Sequence, residues 1–242
     1  MPLIDPITMS STAPSPIIKS SHPIELLPTD LARLFTHTHP AILLAAFTLS
    51  FPALVVNPVS TLLNSLPPLA IIQASYAVIC LPATGTAAKL DKKPKPGAKK
   101  EIVPSRAPVT IFYALLLSLL SIPLLTTTQI LFGAPLTTHL PHTLLSSAHI
   151  ALLAIFPLVY VHGSDGKKWR EVLSLYSPVD EVFGAAVGAM LGAWLGAVPI
   201  PLDWDREWQK WPVTIVAGVY AGYVAGKIVG GLVLRGKRIE FD

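Results

Sequence analysis

"LFTHTHPAILLAAFTLSFPALVVNPVSTLLNSLPPLAIIQASYAVICLPATGTAA", residues 34–88, runs for 55 residues without an Asp, Glu, Lys or Arg. A bilayer crossing takes about 20 apolar residues, so this one stretch has room for two crossings and a turn. A second charge-free stretch, residues 107–164, repeats the pattern over 58 residues. Two shorter apolar runs follow, Val182–Leu202 and Trp211–Gly226, the latter continuing past Lys227 to Leu234. Only 13% of the 242 residues are charged and 52% are hydrophobic, whereas a soluble domain carries about a quarter charged residues. The pattern predicts an all-α integral membrane protein with six transmembrane helices, at about 40–57, 62–82, 109–132, 143–162, 180–200 and 212–234. Pro52, Pro67, Pro68, Pro123 and Pro157 fall inside the first four. Each removes a backbone donor and crowds the preceding turn, so kinks are expected.

The cationic residues give the orientation. Counted by alternating sides, fifteen Lys and Arg lie on the side of the amino terminus and two, Arg206 and Lys210, on the other, with Lys227 inside the last span. Such a bias marks the cytoplasmic side. Both termini are therefore expected in the cytoplasm and the 202–211 loop on the opposite face. This sorting also argues against reading the net charge of +4 as a nucleic-acid surface. The expected organisation is a Pro/Ser/Thr-rich flexible tail (1–36), a membrane domain (37–234) with a basic cytoplasmic linker (89–106), and a cytoplasmic C-terminal tail (235–242). The tail lacks the basic start and short apolar run of a secretory signal. The linker enforces topology, with attraction to anionic lipid as the alternative. Cys80, the single cysteine, reads as a small buried hydrophobe.

Gly184, Gly188, Gly192 and Gly196 are spaced by four in the fifth span, and Gly218, Gly222, Gly226 and Gly230 in the sixth. Positions four apart share a helix face, so each set makes a smooth groove. In lipid, close backbone approach rather than hydrophobicity draws helices together. The two grooves are expected to pack on each other in a glycine-zipper hairpin, or to leave one groove for a partner helix or lipid.

Between these spans lies "GAVPIPLDWDREWQKWPV" (196–213). Trp204, Trp208 and Trp211 suit a membrane interface. Interface anchoring does not account for Asp203, Asp205, Arg206 and Glu207 packed among them. These polar groups, with the tryptophans, are candidates for docking a partner on the far side of the membrane; the competing reading is that they only brace their own hairpin.

The segment "GAWLGAVPIPLDWDREWQKWPVTIVAGVYAGYVAG" (192–226) resembles the signature hairpin of the PIG-F family, and "LFGAP" (131–135) resembles a second, weaker family feature. The specific match covers about a sixth of the chain. The resemblance implies residence in the endoplasmic reticulum membrane. It also implies association with large catalytic subunits that move ethanolamine phosphate from phosphatidylethanolamine to mannose of the glycosylphosphatidylinositol (GPI) precursor. The chain itself would then be a non-catalytic stabilising subunit without cofactor, in contact with membrane lipids and with the GPI precursor as a candidate ligand.

The residues agree with a non-catalytic reading. His139 and His142 provide two imidazoles on a short turn, too few for a metal site, which needs three or four converging ligands. Asp180 and Glu181 suit the positive end of the fifth span. Lys227 is eight residues from Arg235, within reach of the cytoplasmic interface by snorkelling. An alternative class is a multi-span lipid-handling or transport protein of the endoplasmic reticulum, since ionisable residues and kinked spans occur there too.

Overall fold

The computed structural model describes residues 22–85, 107–202 and 204–238. These residues are helical with no strand among them. The first hairpin pairs α1 (Asp30–Val56) with α2 (Pro58–Cys80) through the single residue Asn57. The Thr29 hydroxyl caps α1 by accepting from Ala32 N at 3.1 Å, and Pro58 opens α2 where a missing N–H costs nothing. α3 (Ala107–Leu131) ends at Gly133, which takes φ 101° to turn the chain. α4 (Leu140–His162) widens into a π-helical turn over Ala151–Ile155. Pro157 lies two residues beyond it; it supplies no N–H and crowds the carbonyl four residues back, and a wider turn relieves both.

A short helix α5 (Gly166–Leu173) leads to α6 (Glu181–Gly196), and α7 (Val213–Val233) closes the fold. Asp165 caps α5 by accepting from Lys167 N, and this hydrogen bond holds its carboxyl below the ordinary range. α4 lies at the centre, with 78% of its most apolar window buried against 22% for α1 and α3. Its small residues, among them Ser147, Ala148, Ala151 and Ala154, let neighbours approach. α1, α2 and α3 turn large apolar side chains outward, such as Leu49, Ile71 and Leu124. That is the surface a hydrocarbon solvent favours.

Among the described residues five helices are long and apolar enough to cross a membrane; α6, at 16 residues, is shorter than the span expected at 180–200. Past Gly196 the chain tightens into turns whose N–H groups reach back three residues, from Ala197 to Trp194 O and Val198 to Leu195 O. Pro199 and Pro201 cannot supply the next helical donors, which ends the regular helix early.

The expected tail boundary at residue 36 also shifts. α1 begins at Asp30 rather than near residue 40, and the segment before it is docked. Ile24 N donates to Asp180 Oδ2 at 3.0 Å and Leu27 N to Cys80 O at 2.9 Å. Beyond α7, Gly236 N and Lys237 O each bond to Val179, at 2.8 Å, tying residues expected in the C-terminal tail to the start of α6. Residues 1–21, the basic linker 89–106 and residues 239–242 lie outside the described residues.

Candidate functional site

Two helices approach most closely where side chains are absent. α6 and α7 form the most extensive helix pair of the fold, and the eight glycines lie along their seam. A Cβ added at Gly188 would fall on Gly222 O and within 2.8 Å of Gly226 Cα. One at Gly192 would meet Gly218 O and, at 3.0 Å, Gly222 Cα; one at Gly184 would meet Gly226 O and, at 2.8 Å, Gly230 Cα. Gly196 abuts the backbone of Thr214 and Ile215, just before Gly218, the first glycine of α7. Both glycine sets therefore face each other across one antiparallel seam.

The loop joining the two helices sits on this rigid hairpin. Trp204, Asp205, Arg206 and Glu207 are exposed, and Trp208 and Trp211 are half-buried. The Trp204 and Trp208 rings lie 5.8 Å apart, and Trp211 Nε1 donates to Thr143 Oγ1 on α4 at 3.2 Å. Asp203 lies outside the described residues. The bracing comes from a residue that the sequence reading passed over. Gln209 Nε2 donates to Pro199 O and Leu202 O, both at 2.7 Å, while its Oε1 accepts from Arg206 N at 3.1 Å. An amide has two donors and an acceptor, so one side chain fastens three points of the loop. Glu207 pairs with Lys210; Arg206 forms no ion pair among the described residues.

At the opposite end of the hairpin the structure assembles a cluster that sequence spacing did not bring together. Lys227 does not snorkel outward. Its side chain is 3% exposed, with Nζ 3.5 Å from Glu181 Oε2 and 3.4 Å from the centroid of the Tyr76 ring. The same Glu181 oxygen accepts from Thr36 Oγ1 at 2.7 Å and from Tyr76 OH at 3.3 Å. His39 stacks on Tyr76 at 4.4 Å between centroids. Asp180 accepts from Val182 N and Phe183 N, both at 2.9 Å, as well as from Ile24 N. The carboxylates expected only to complement a helix terminus thus join α1, α2, α6 and α7. The low dielectric strengthens the attraction between lysine and carboxylate, and that attraction offsets the cost of taking both charges out of water. The available sequence signal was the lone lysine in an apolar run, which needs a partner.

His139 and His142 lie with ring centroids 4.9 Å apart, and no group of three metal-ligating side chains occurs among the described residues.

This geometry defines a class: an all-helical membrane protein whose closing hairpin is sealed by glycine and carries an exposed loop of tryptophans and charges. Residues 38–231 match the family described as "GPI biosynthesis protein family Pig-F", and the chain belongs to that family. It is 44% identical to glycosylphosphatidylinositol anchor biosynthesis protein 11 of Neurospora crassa, over 98% of this chain and 100% of the relative. The protein of the same name from Aspergillus fumigatus is 41% identical, over 96% of this chain and 91% of the relative. That from Saccharomyces cerevisiae is 41% identical over 48% of this chain and 47% of its own length. No solved structure matches the chain.

Proposed function

We propose that this chain is a non-catalytic stabilising subunit of the GPI ethanolamine-phosphate transferase of the endoplasmic reticulum membrane. It supports transfer of ethanolamine phosphate from phosphatidylethanolamine to mannose of the GPI precursor by holding a large catalytic subunit. The observation carrying this reading is the contrast within the last hairpin: a seam that tolerates no Cβ presents a loop whose Arg206 has no ion-pair partner among the described residues. A rigid support carrying an exposed guanidinium suits bidentate capture of a partner carboxylate.

The topology supports it. The run of α6 beside α7 along the glycine seam supports counting α6, with the turns after Gly196, as a sixth crossing. Both termini are then cytoplasmic by the charge bias, and the loop faces the lumen, where the family resemblance puts the transferase chemistry.

The test is Arg206→Ala. A buried interfacial pair broken on one side costs about 2–5 kcal/mol, so the variant should remain abundant, release the large subunit on purification in mild detergent, and accumulate GPI precursors lacking ethanolamine phosphate. Normal co-purification, or disappearance of the variant itself, overturns the proposal.

A further inference from the structure

One feature of the first hairpin has no role in the docking loop. Between α1 and α2 opens a membrane-facing cleft of about 380 Å³, within the range of small-ligand sites. Pro68 of α2 is among its lining residues. Its lining is stratified. Ser50, Thr61, Asn64 and Ser65 sit within about 12 Å of the Asn57 turn, at about 1.5 Å per residue. Leu43, Phe47, Leu69 and Ile72 lie about 15–23 Å from it, deeper along both helices. A polar layer near the membrane edge thus stands over an apolar one.

The polar layer is held from behind. His149, 1% exposed, bonds through Nε2 to Ser65 Oγ at 3.3 Å and Leu62 O at 3.1 Å, and through Nδ1 to Tyr220 OH at 3.0 Å. Ser65 and Tyr220 both line the cleft, and Tyr220 stacks on Phe47 at 4.6 Å. In front of them, the Asn64 side chain is exposed and makes no hydrogen bond among the described residues. An amide turned toward hydrocarbon is costly without a partner. The lining contains no Lys, Arg, Asp or Glu.

We propose that this cleft is a binding site for one glycerophospholipid of the leaflet on the Asn57 side. Its glycerol ester region meets Asn64, Ser50 and Thr61, and one acyl chain lies over Leu43, Phe47, Leu69 and Ile72. A partner helix fits less well. It is about 10–12 Å across with side chains and cannot enter a cleft of this size. It also has no reason to match a change from polar to apolar lining. Because no charged group lines the cleft, recognition rests on the ester and acyl chain, and the headgroup is not selected.

The test uses the purified full-length chain in nanodiscs with a phosphatidylcholine carrying a diazirine in one acyl chain. Photolabelling should concentrate on residues 43–50 and 68–72 above the equally lipid-facing Leu119–Leu124 of α3. Unlabelled phosphatidylethanolamine and phosphatidylserine should compete equally. Asn64→Leu should weaken labelling about fivefold, the equivalent of one hydrogen bond. Ala46→Phe, which fills the cleft from an exposed position, should abolish the excess without lowering the melting temperature. Labelling spread evenly over α1 to α3, labelling unchanged in both variants, or competition by one headgroup alone overturns the proposal. Retention of a partner protein has no part in this readout, so its result stands apart from the transferase assignment.

Discussion

Lys227 Nζ lies 3.5 Å from Glu181 Oε2 across the α6–α7 seam, with Lys227 3% exposed and Glu181 16%. Four helices meet there, because Thr36 and Tyr76 donate to the same carboxylate oxygen. Regular glycine spacing alone does not fix how far one helix slides along the other. A one-turn slip would set Gly188 opposite Gly230, Gly192 opposite Gly226 and Gly196 opposite Gly222, again glycine on glycine. The ion pair, together with the Gln209 brace, selects one register, a role well attested for buried polar groups.

Lys227→Met should therefore cost about 3 kcal/mol, the low end for a broken buried pair because Glu181 retains some contact with solvent. Adding Glu181→Gln should recover most of that loss. Melting temperatures in detergent decide the matter: equal stability of the single and double variants would remove the coupling.

The seam makes a second prediction. Gly188→Ala or Gly222→Ala places a methyl group against a facing carbonyl, costing about 1–3 kcal/mol by overpacking. Gly166→Ala, with nothing within 4 Å of the new carbon, should stay within about 0.5 kcal/mol. Thermal unfolding of the three variants side by side gives the comparison.

Within the loop, bracing and docking separate by residue. Gln209→Ala removes donors from Pro199 O and Leu202 O and should lower stability by about 1–2 kcal/mol. Arg206→Ala should leave stability within about 0.5 kcal/mol, as for an exposed side chain. A large destabilisation by Arg206→Ala would identify it as a brace.

Orientation is open to direct measurement. A glycosylation acceptor inserted beside Gln209 should be modified, and one beside Pro96 should not, following the charge bias. Modification at Pro96 would invert the topology and remove the lumenal role of the loop.

The sequence by itself determined the helical membrane class, since lipid admits only helices and closed barrels, and continuous apolar runs of this length lack the short alternating pattern of barrel strands. The start of α1 was less legible: Pro/Ser/Thr richness pointed to a tail, whereas capping by Thr29 and contacts to Cys80 and Asp180 stabilise the helix from Asp30. The glycine periodicity of α6 and α7 was visible because it repeats every four residues along one chain segment. Only the tertiary structure decided that both glycine sets share one seam, that Lys227 turns inward to Glu181, and that Gln209 rather than a charged neighbour braces the loop. Each of those is a contact between residues distant in sequence or a choice among several nearby partners. Local pattern records which face a side chain occupies; which group waits opposite it is settled only when the helices pack.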